Sequence, residues 1–285
     1  MLGCGWTSRI LGFLLGLGFV TFANAIPNGI KTSDYAYVGL VHSGGHGWGS
    51  GVLIAPDVVL TAGHVVETVN RHRDTTSFLG GADPFQDPRP IVGIADTVLH
   101  PLYGTAGTDW YDIGLIFLTD SIVLDEYPVL SFEPAWALGN EAVTIVGYGT
   151  DLVRRRTTKR IYEPSPADEA SAAGALLYVF DPSGLGVAEP GDSGGGLFIE
   201  RDGQRRLAGI TSWSTAPYYE FAAFASVGYY RDFIDQHVPG AVWLPVAAVP
   251  QPGSALLLGL GLAGLGVNRA VLAFRSRGRI RASPA

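Results

Sequence analysis

Gly191-Asp192-Ser193-Gly194-Gly195-Gly196-Leu197-Phe198-Ile199 is a glycine-rich turn that runs into a short apolar stretch. Glycines around a serine let the backbone turn sharply and aim N–H groups at one point. Outward from this turn, short apolar runs recur between turn residues: Tyr35 to Val41, Gly51 to Ile54, Val58 to Thr61, Ile91 to Val98, Ile113 to Leu118, Val143 to Val146, Leu176 to Phe180, Gly195 to Ile199 and Leu207 to Ile210. Runs of that length and spacing predict an all-β sandwich or barrel, and no alternation of strand and helix units is evident. One helix is predicted over Tyr230 to Val238, with Phe233, Ile234 and Val238 on one side. Stretches rich in Asp, Pro, Gly and Arg at 70–90 and 150–170 read as loops. The composition agrees with this reading. In 285 residues, 39 Gly and 18 Pro are more than a helical bundle carries, and 12 Tyr and 13 Phe suit strands. An apolar share of 47% against 16% charged excludes a disordered polyelectrolyte. A formal net charge of -7 carries no basic signature of nucleic-acid binding.

Three local motifs carry chemistry: Leu60-Thr61-Ala62-Gly63-His64-Val65, Asp112-Ile113-Gly114-Leu115-Ile116 and Gly191 to Gly196. A hydroxyl is a weak nucleophile until a base takes its proton, and an imidazole does this near neutral pH. The imidazole needs a carboxylate to fix its tautomer and to stabilise the imidazolium. Backbone N–H groups beside the serine stabilise the oxyanion of an acyl-transfer intermediate. Asp109 competes with Asp112 for the carboxylate role. Asp112 is preferred because it directly precedes the strand-like run Ile113 to Leu118.

In the order His64, Asp112, Ser193 the sequence resembles the trypsin/chymotrypsin family of serine proteases. The resemblance covers about residues 26 to 240. His100-Pro101-Leu102-Tyr103 is similar to the segment leading to that family's aspartate, Gly147-Tyr148-Gly149 to its Gly-Trp-Gly, and Gly209-Ile210-Thr211-Ser212-Trp213-Ser214 to the strand that holds the substrate backbone. The resemblance implies two six-stranded antiparallel β-barrels with a short C-terminal helix, and a catalytic triad of His64, Asp112 and Ser193 in the cleft between them. It further implies an oxyanion hole made by the N–H groups of Gly191 and Ser193, protein or peptide substrates, and no metal or organic cofactor. Substrate-binding positions carried over are Val187, Ser212, Trp213 and Ser214. Val187 stands where the family's primary-specificity residue stands and is not an acid, so no strong preference for Lys or Arg is expected. Ser214 replaces a pocket-wall glycine and narrows the site. Val65 replaces the family's cysteine after the histidine, and no cysteine pair flanks the serine loop.

Two terminal segments read as separate from the domain. Residues 1–25 have the order of a secretory signal: Arg9, the apolar Ile10 to Phe22, then Ala23-Asn24-Ala25 as a signal peptidase site. Cys4, the one cysteine, lies inside it. Cleavage after Ala25 exposes Ile26-Pro27-Asn28-Gly29, similar to the Ile-Val-Asn-Gly start of mature family members, in which the new amine pairs with the aspartate before the serine, Asp192 in this chain. The domain is expected over 26–244. Residues 245–285 hold Pro250-Gln251-Pro252, the apolar stretch Ser254 to Val267, and Arg269, Arg275, Arg277, Arg279 and Arg281. This order resembles the PEP-CTERM sorting signal, whose motif is Pro-Glu-Pro, and implies an exosortase-type processing enzyme. Ser254 to Val267 spans about 21 Å as a helix, short of a bilayer core of about 30 Å; residues to Phe274 complete the span. The expected location is extracellular or at the cell envelope, with at least transient membrane anchoring by the C-terminal helix. The two ends hold Arg9 and the five tail arginines and none of the 26 acids, so the domain between them is more acidic than the formal -7.

Other readings are weaker. His42 and His46 lack a third ligand at metal spacing. Gly191-x-Ser193-x-Gly195 also fits the nucleophile elbow of α/β-hydrolases, but only His237 follows the serine and the βαβ pattern is missing. Arg154-Arg155-Arg156 with Lys159-Arg160 reads as a solvated, protease-sensitive loop rather than a nucleic-acid patch. An inactive protease homologue serving as an extracellular binding module is the functional alternative; the presence of all three triad residues argues against it.

Overall fold

The computed structural model describes residues 26, 28–86, 90–105, 109–162, 174–183, 186–215 and 220–244. The signal segment 1–25 and the tail 245–285 lie outside the described residues. Among the described residues no helix is long and apolar enough to cross a membrane.

The apolar runs of the N-terminal half become strands β2 (Val38–His42), β3 (Trp48–Ala55), β4 (Val58–Thr61), β5 (Ser77–Leu79), β6 (Ile91–Leu99) and β7 (Gly114–Leu118). They pair antiparallel in the order β2-β3-β4-β7-β6-β5 and close into a barrel. Closure needs an interior just filled by side chains. Phe78 on β5 is fully buried and supplies the largest of them. Its ring occupies the space that a Cβ at Gly39 of β2 would need, which is why a glycine faces it. Truncating such a ring costs about 3–5 kcal/mol.

The C-terminal half forms β9 (Ala142–Gly147), β10 (Arg155–Arg160), β11 (Leu176–Phe180), β12 (Gly196–Arg201), β13 (Gln204–Ser214) and β14 (Phe221–Ser226). Their order is β10-β9-β12-β13-β14-β11. An isolated bridge, Ile161 with Val179, and the bond from Tyr162 N to Tyr178 O (2.7 Å) bring the end of β10 back to β11, so six strands again make a ring. β1 (Ile30–Lys31) adds to β10, β8 (Val129–Ser131) adds in parallel beside β13, and β15 (Trp243–Leu244) adds in parallel beside β8. The β12–β13 hairpin turns at Asp202-Gly203, both with positive φ (54° and 71°), the twist that a two-residue hairpin requires. A second core cluster, including Ile26, Leu138, Ile145, Val187, Leu197 and Phe224, fills this half. The expected C-terminal helix is α2 (Arg231–His237), with Phe233, Ile234 and Val238 buried.

Two loop readings are corrected. Ser77–Leu79 in the 70–90 stretch is β5, and the basic run is the strand β10, laddered to β9 from Arg155 with Gly147 to Arg160 with Ala142. Arg154 ahead of it is buried and donates to three carbonyls, Thr32 O (3.3 Å), Val38 O (2.9 Å) and Ser33 O (3.0 Å). Arg155 pairs with Asp151 (2.8 Å). Lys159 pairs with Asp181 and Arg160 donates to Asn140 O (2.8 Å), so four of the five basic side chains of this run reach neighbouring carbonyls or carboxylates. A nine-residue helix, α1 (Gly63–Arg71), was not foreseen; it buries Val65, Val66 and Val69 at helical spacing.

Candidate active site

Strand register brings the first two motifs together. β4 and β7 are paired with Thr61 opposite Gly114. His64 follows β4 at the start of α1 and Asp112 stands just ahead of β7, so the two side chains emerge at the same barrel end. Asp112 is buried, and its carboxylate is fully engaged: Oδ1 accepts the His64 backbone N–H (2.9 Å), Oδ2 lies 2.9 Å from His64 Nδ1, and Oδ2 also accepts Ser212 Oγ (2.5 Å). A carboxylate offers only acceptors, so the proton of the imidazole resides on Nδ1 and the lone pair on Nε2. Asp109 lies in the short turn Asp109–Tyr111, and it is Asp112 that meets the imidazole.

Ser193 comes from the other barrel, in the turn before β12. This turn is pinned on the inside: Ser193 O accepts Ser50 N (2.7 Å), Gly194 N donates to Thr211 O (2.8 Å) and Gly195 N donates to Asp192 O (2.8 Å). Gly191 and Gly194 have φ of 96° and 82°, which a side chain rarely adopts. Among the described residues the N–H groups of Gly191 and Ser193 have no protein acceptor. His64, Gly191 and Ser193 line one cleft of about 230 Å³, together with Trp48, Val65 and Pro190. On the other side of the imidazole a second cleft of about 560 Å³ is lined by Glu67, Tyr103, Asp112, Ser212 and Trp213.

Ile26 is fully buried and its N donates to Asp192 Oδ2 (3.1 Å). The same carboxylate accepts Gly149 N (2.9 Å) and Glu189 N (3.0 Å). Burial outweighs these donors and pushes Asp192 up from 3.8 to about 7. Beside it, Glu189 is also raised by burial while accepting Thr150 N (3.2 Å) and Thr150 Oγ1 (3.0 Å).

Of the substrate-binding positions, Val187 is fully buried in the second core and reaches neither cleft. Trp213 packs against Tyr178 and Phe221, and Ser214 pairs with Ala222 across the β13–β14 ladder. Ser212 does more than its strand position implies, because its hydroxyl is spent on Asp112. Sequence reasoning missed that bond, and it missed Ser50, Trp48 and Glu189. The want of cysteines said that the loops needed other ties without saying which. Elsewhere His46 stacks on His72 and His100 on Tyr111, and among the described residues no group of three or more His, Cys, Asp or Glu is placed to hold a metal ion.

Residues 26–234 match the family model described as Trypsin. The chain belongs to the trypsin family. No curated protein matches it. Membership of the trypsin family makes 26–234 a serine-type peptidase domain, whose substrates are proteins or peptides. The match opens at Ile26, the residue whose nitrogen reaches Asp192.

Proposed function

We propose that the protein is an exported serine endopeptidase that hydrolyses peptide bonds through an acyl-enzyme. The observation that carries this reading is the Asp112 carboxylate on His64 Nδ1, with Ser193 lining the same cleft as that imidazole. Ser193 Oγ attacks the scissile carbonyl while His64 Nε2 takes its proton; the imidazolium then gives that proton to the leaving amine. Asp112 holds the ring in the required tautomer, and Ser212 holds Asp112. The N–H groups of Gly191 and Ser193 receive the oxyanion. Water, deprotonated by His64, releases the acyl group and restores Ser193. With Ser214 in place of a pocket-wall glycine, and with Val187 buried in the second core so that it brings no charge to either cleft, the primary pocket takes small or medium apolar side chains rather than Lys or Arg.

The same reading covers maturation. Signal peptidase cuts after Ala25, and the Ile26 nitrogen changes from an amide to an ammonium opposite Asp192. A charge-assisted pair forms where one amide N–H stood. The family match beginning at residue 26 and the burial of Ile26 support this. The tail 245–285 holds the product at the membrane until an exosortase-type enzyme removes it. The test is labelling by a fluorophosphonate: the secreted protein is expected to react and Ser193→Ala to remain unlabelled. Absence of labelling in the parent, or its persistence in the variant, rejects the enzyme and leaves the binding-module reading. N-terminal sequencing of the secreted form is expected to read Ile-Pro-Asn-Gly.

A further inference from the structure

The turn that carries Gly191 and Ser193 is held from outside its own barrel. Ser50 on β3 is fully buried, and its Oγ donates to Gly191 O (2.9 Å) while accepting Tyr148 N (3.0 Å). Its backbone N–H donates to Ser193 O, and its carbonyl accepts Thr61 Oγ1 (2.7 Å). One residue thus grips the carbonyls on both sides of Asp192. Two positions earlier on the same strand, the Trp48 indole N–H donates to Gly149 O (2.8 Å). A Cβ at Gly191 would meet both that indole nitrogen and the Gly149 carbonyl, so Gly191 is enclosed between Trp48 and the end of β9.

The two gripped carbonyls belong to the 191–192 and 193–194 peptide planes. These flank the plane of Asp192 C=O and Ser193 N–H, itself tied by Gly195 N to Asp192 O. With these planes fixed, Ser193 N–H cannot turn and Gly191 is held at its far side, and donors aimed before the reaction need no reorganisation during it. We propose that Ser50 and Trp48 are positioning residues for the oxyanion site: the Ser50 hydrogen bonds to the turn, and the Trp48–Gly149 bond that walls in Gly191, hold the Gly191–Ser193 turn in the form in which its two N–H groups converge. A chain whose one cysteine is Cys4 has no disulfide to do this. The inference rests on the proposed acyl-transfer reading.

The experiment compares a peptide ester with its thiono counterpart, in which sulfur replaces the carbonyl oxygen. Backbone N–H groups stabilise a developing oxyanion far better than a thiolate-like sulfur, so the oxygen-to-sulfur rate ratio reports the donors and not general integrity. Ser50→Ala is expected to lower kcat for the oxygen ester about 10- to 100-fold with KM little changed, and to shrink the ratio by the same factor. Trp48→Phe keeps a ring on this half-exposed site but removes the N–H; a smaller fall in both quantities is expected, and it carries the test if Ser50→Ala does not fold. Ser50→Thr, which keeps the hydroxyl, is expected to recover part of the ratio. An unchanged kcat, or a fall shared equally by both esters, overturns the proposal and leaves Ser50 and Trp48 as packing. If the parent cleaves neither ester, the acyl-transfer reading fails by itself. Deuterium uptake by peptides covering 190–194 then still decides the positioning claim: faster in both variants supports it, unchanged overturns it.

Discussion

A Cβ on Gly63 would stand 2.7 Å from Tyr103 Cδ2 and 3.1 Å from Asp112 Oδ1. The residue before His64 is therefore set by the two side chains around it, and glycine is the one that fits. Gly63→Ala is expected to displace the Tyr103 ring and disturb Asp112, lowering kcat about tenfold in steady-state assays, with partial recovery in Gly63→Ala/Tyr103→Ala. Asp192 gives a pH prediction. In a chain with residues retained ahead of Ile26, its folded-state value is about 7 against 3.8 for the ordinary group. The folded state then holds the proton more tightly, so stability from this group is complete below pH about 4 and is lost as pH rises through about 7. Urea midpoints of an uncleavable N-extended form are expected to fall between pH 5 and pH 8 relative to the processed protein, in which an ammonium offsets the charge. The residues legible in sequence were those inside short motifs. His64, Asp112 and Gly191–Gly196 could be singled out because each motif is local. Ser212 to Asp112, Trp48 to Gly149 and Ser50 to Gly191 join positions 100, 101 and 141 apart, and no local pattern encodes such bonds.

Among the elements, apolar content decided what could be read. Val58–Thr61 and Leu176–Phe180 are strands from end to end as expected, because every residue or nearly every residue is buried. β10 was hidden, since Arg155–Arg160 is half-exposed and basic and owes its place to the ladder with β9 rather than to burial. α1 was hidden because its buried face is valine, whose branched Cβ favours strands in isolation; packing against the barrel overrides that preference. The second ring has an uneven seam. Where β9 and β10 share a six-residue register, β10 and β11 meet through the Ile161–Val179 bridge and one flanking bond. Native-state hydrogen exchange is expected to be faster at the Tyr162 amide than at amides of the β9–β12 ladder, since few backbone bonds must open there. Equal protection at both places would mean that the seam opens only with the whole ring.

At the scale of the molecule, each barrel contributes what the other lacks: the imidazole and its carboxylate from the first, the serine turn and Ser212 from the second. Chemistry therefore requires both halves docked, and the ties from β3 to the serine turn are part of that docking. Because the one cysteine, Cys4, leaves with the proposed signal, reductant is expected to leave both activity and the urea midpoint of the secreted form unchanged; a shift would reveal retained signal and an intermolecular disulfide through Cys4. The buried Ile26 has a last consequence. If signal cleavage makes Ile26 the first residue, as proposed, a socket closed around it with a carboxylate 3.1 Å from its nitrogen acts as a ruler. In the proposed enzyme a chain cut one residue too early or too late presents its charge in the wrong place. A population of carelessly trimmed molecules would then divide into working and silent ones without any inhibitor, and specific activity would report the accuracy of the upstream cut.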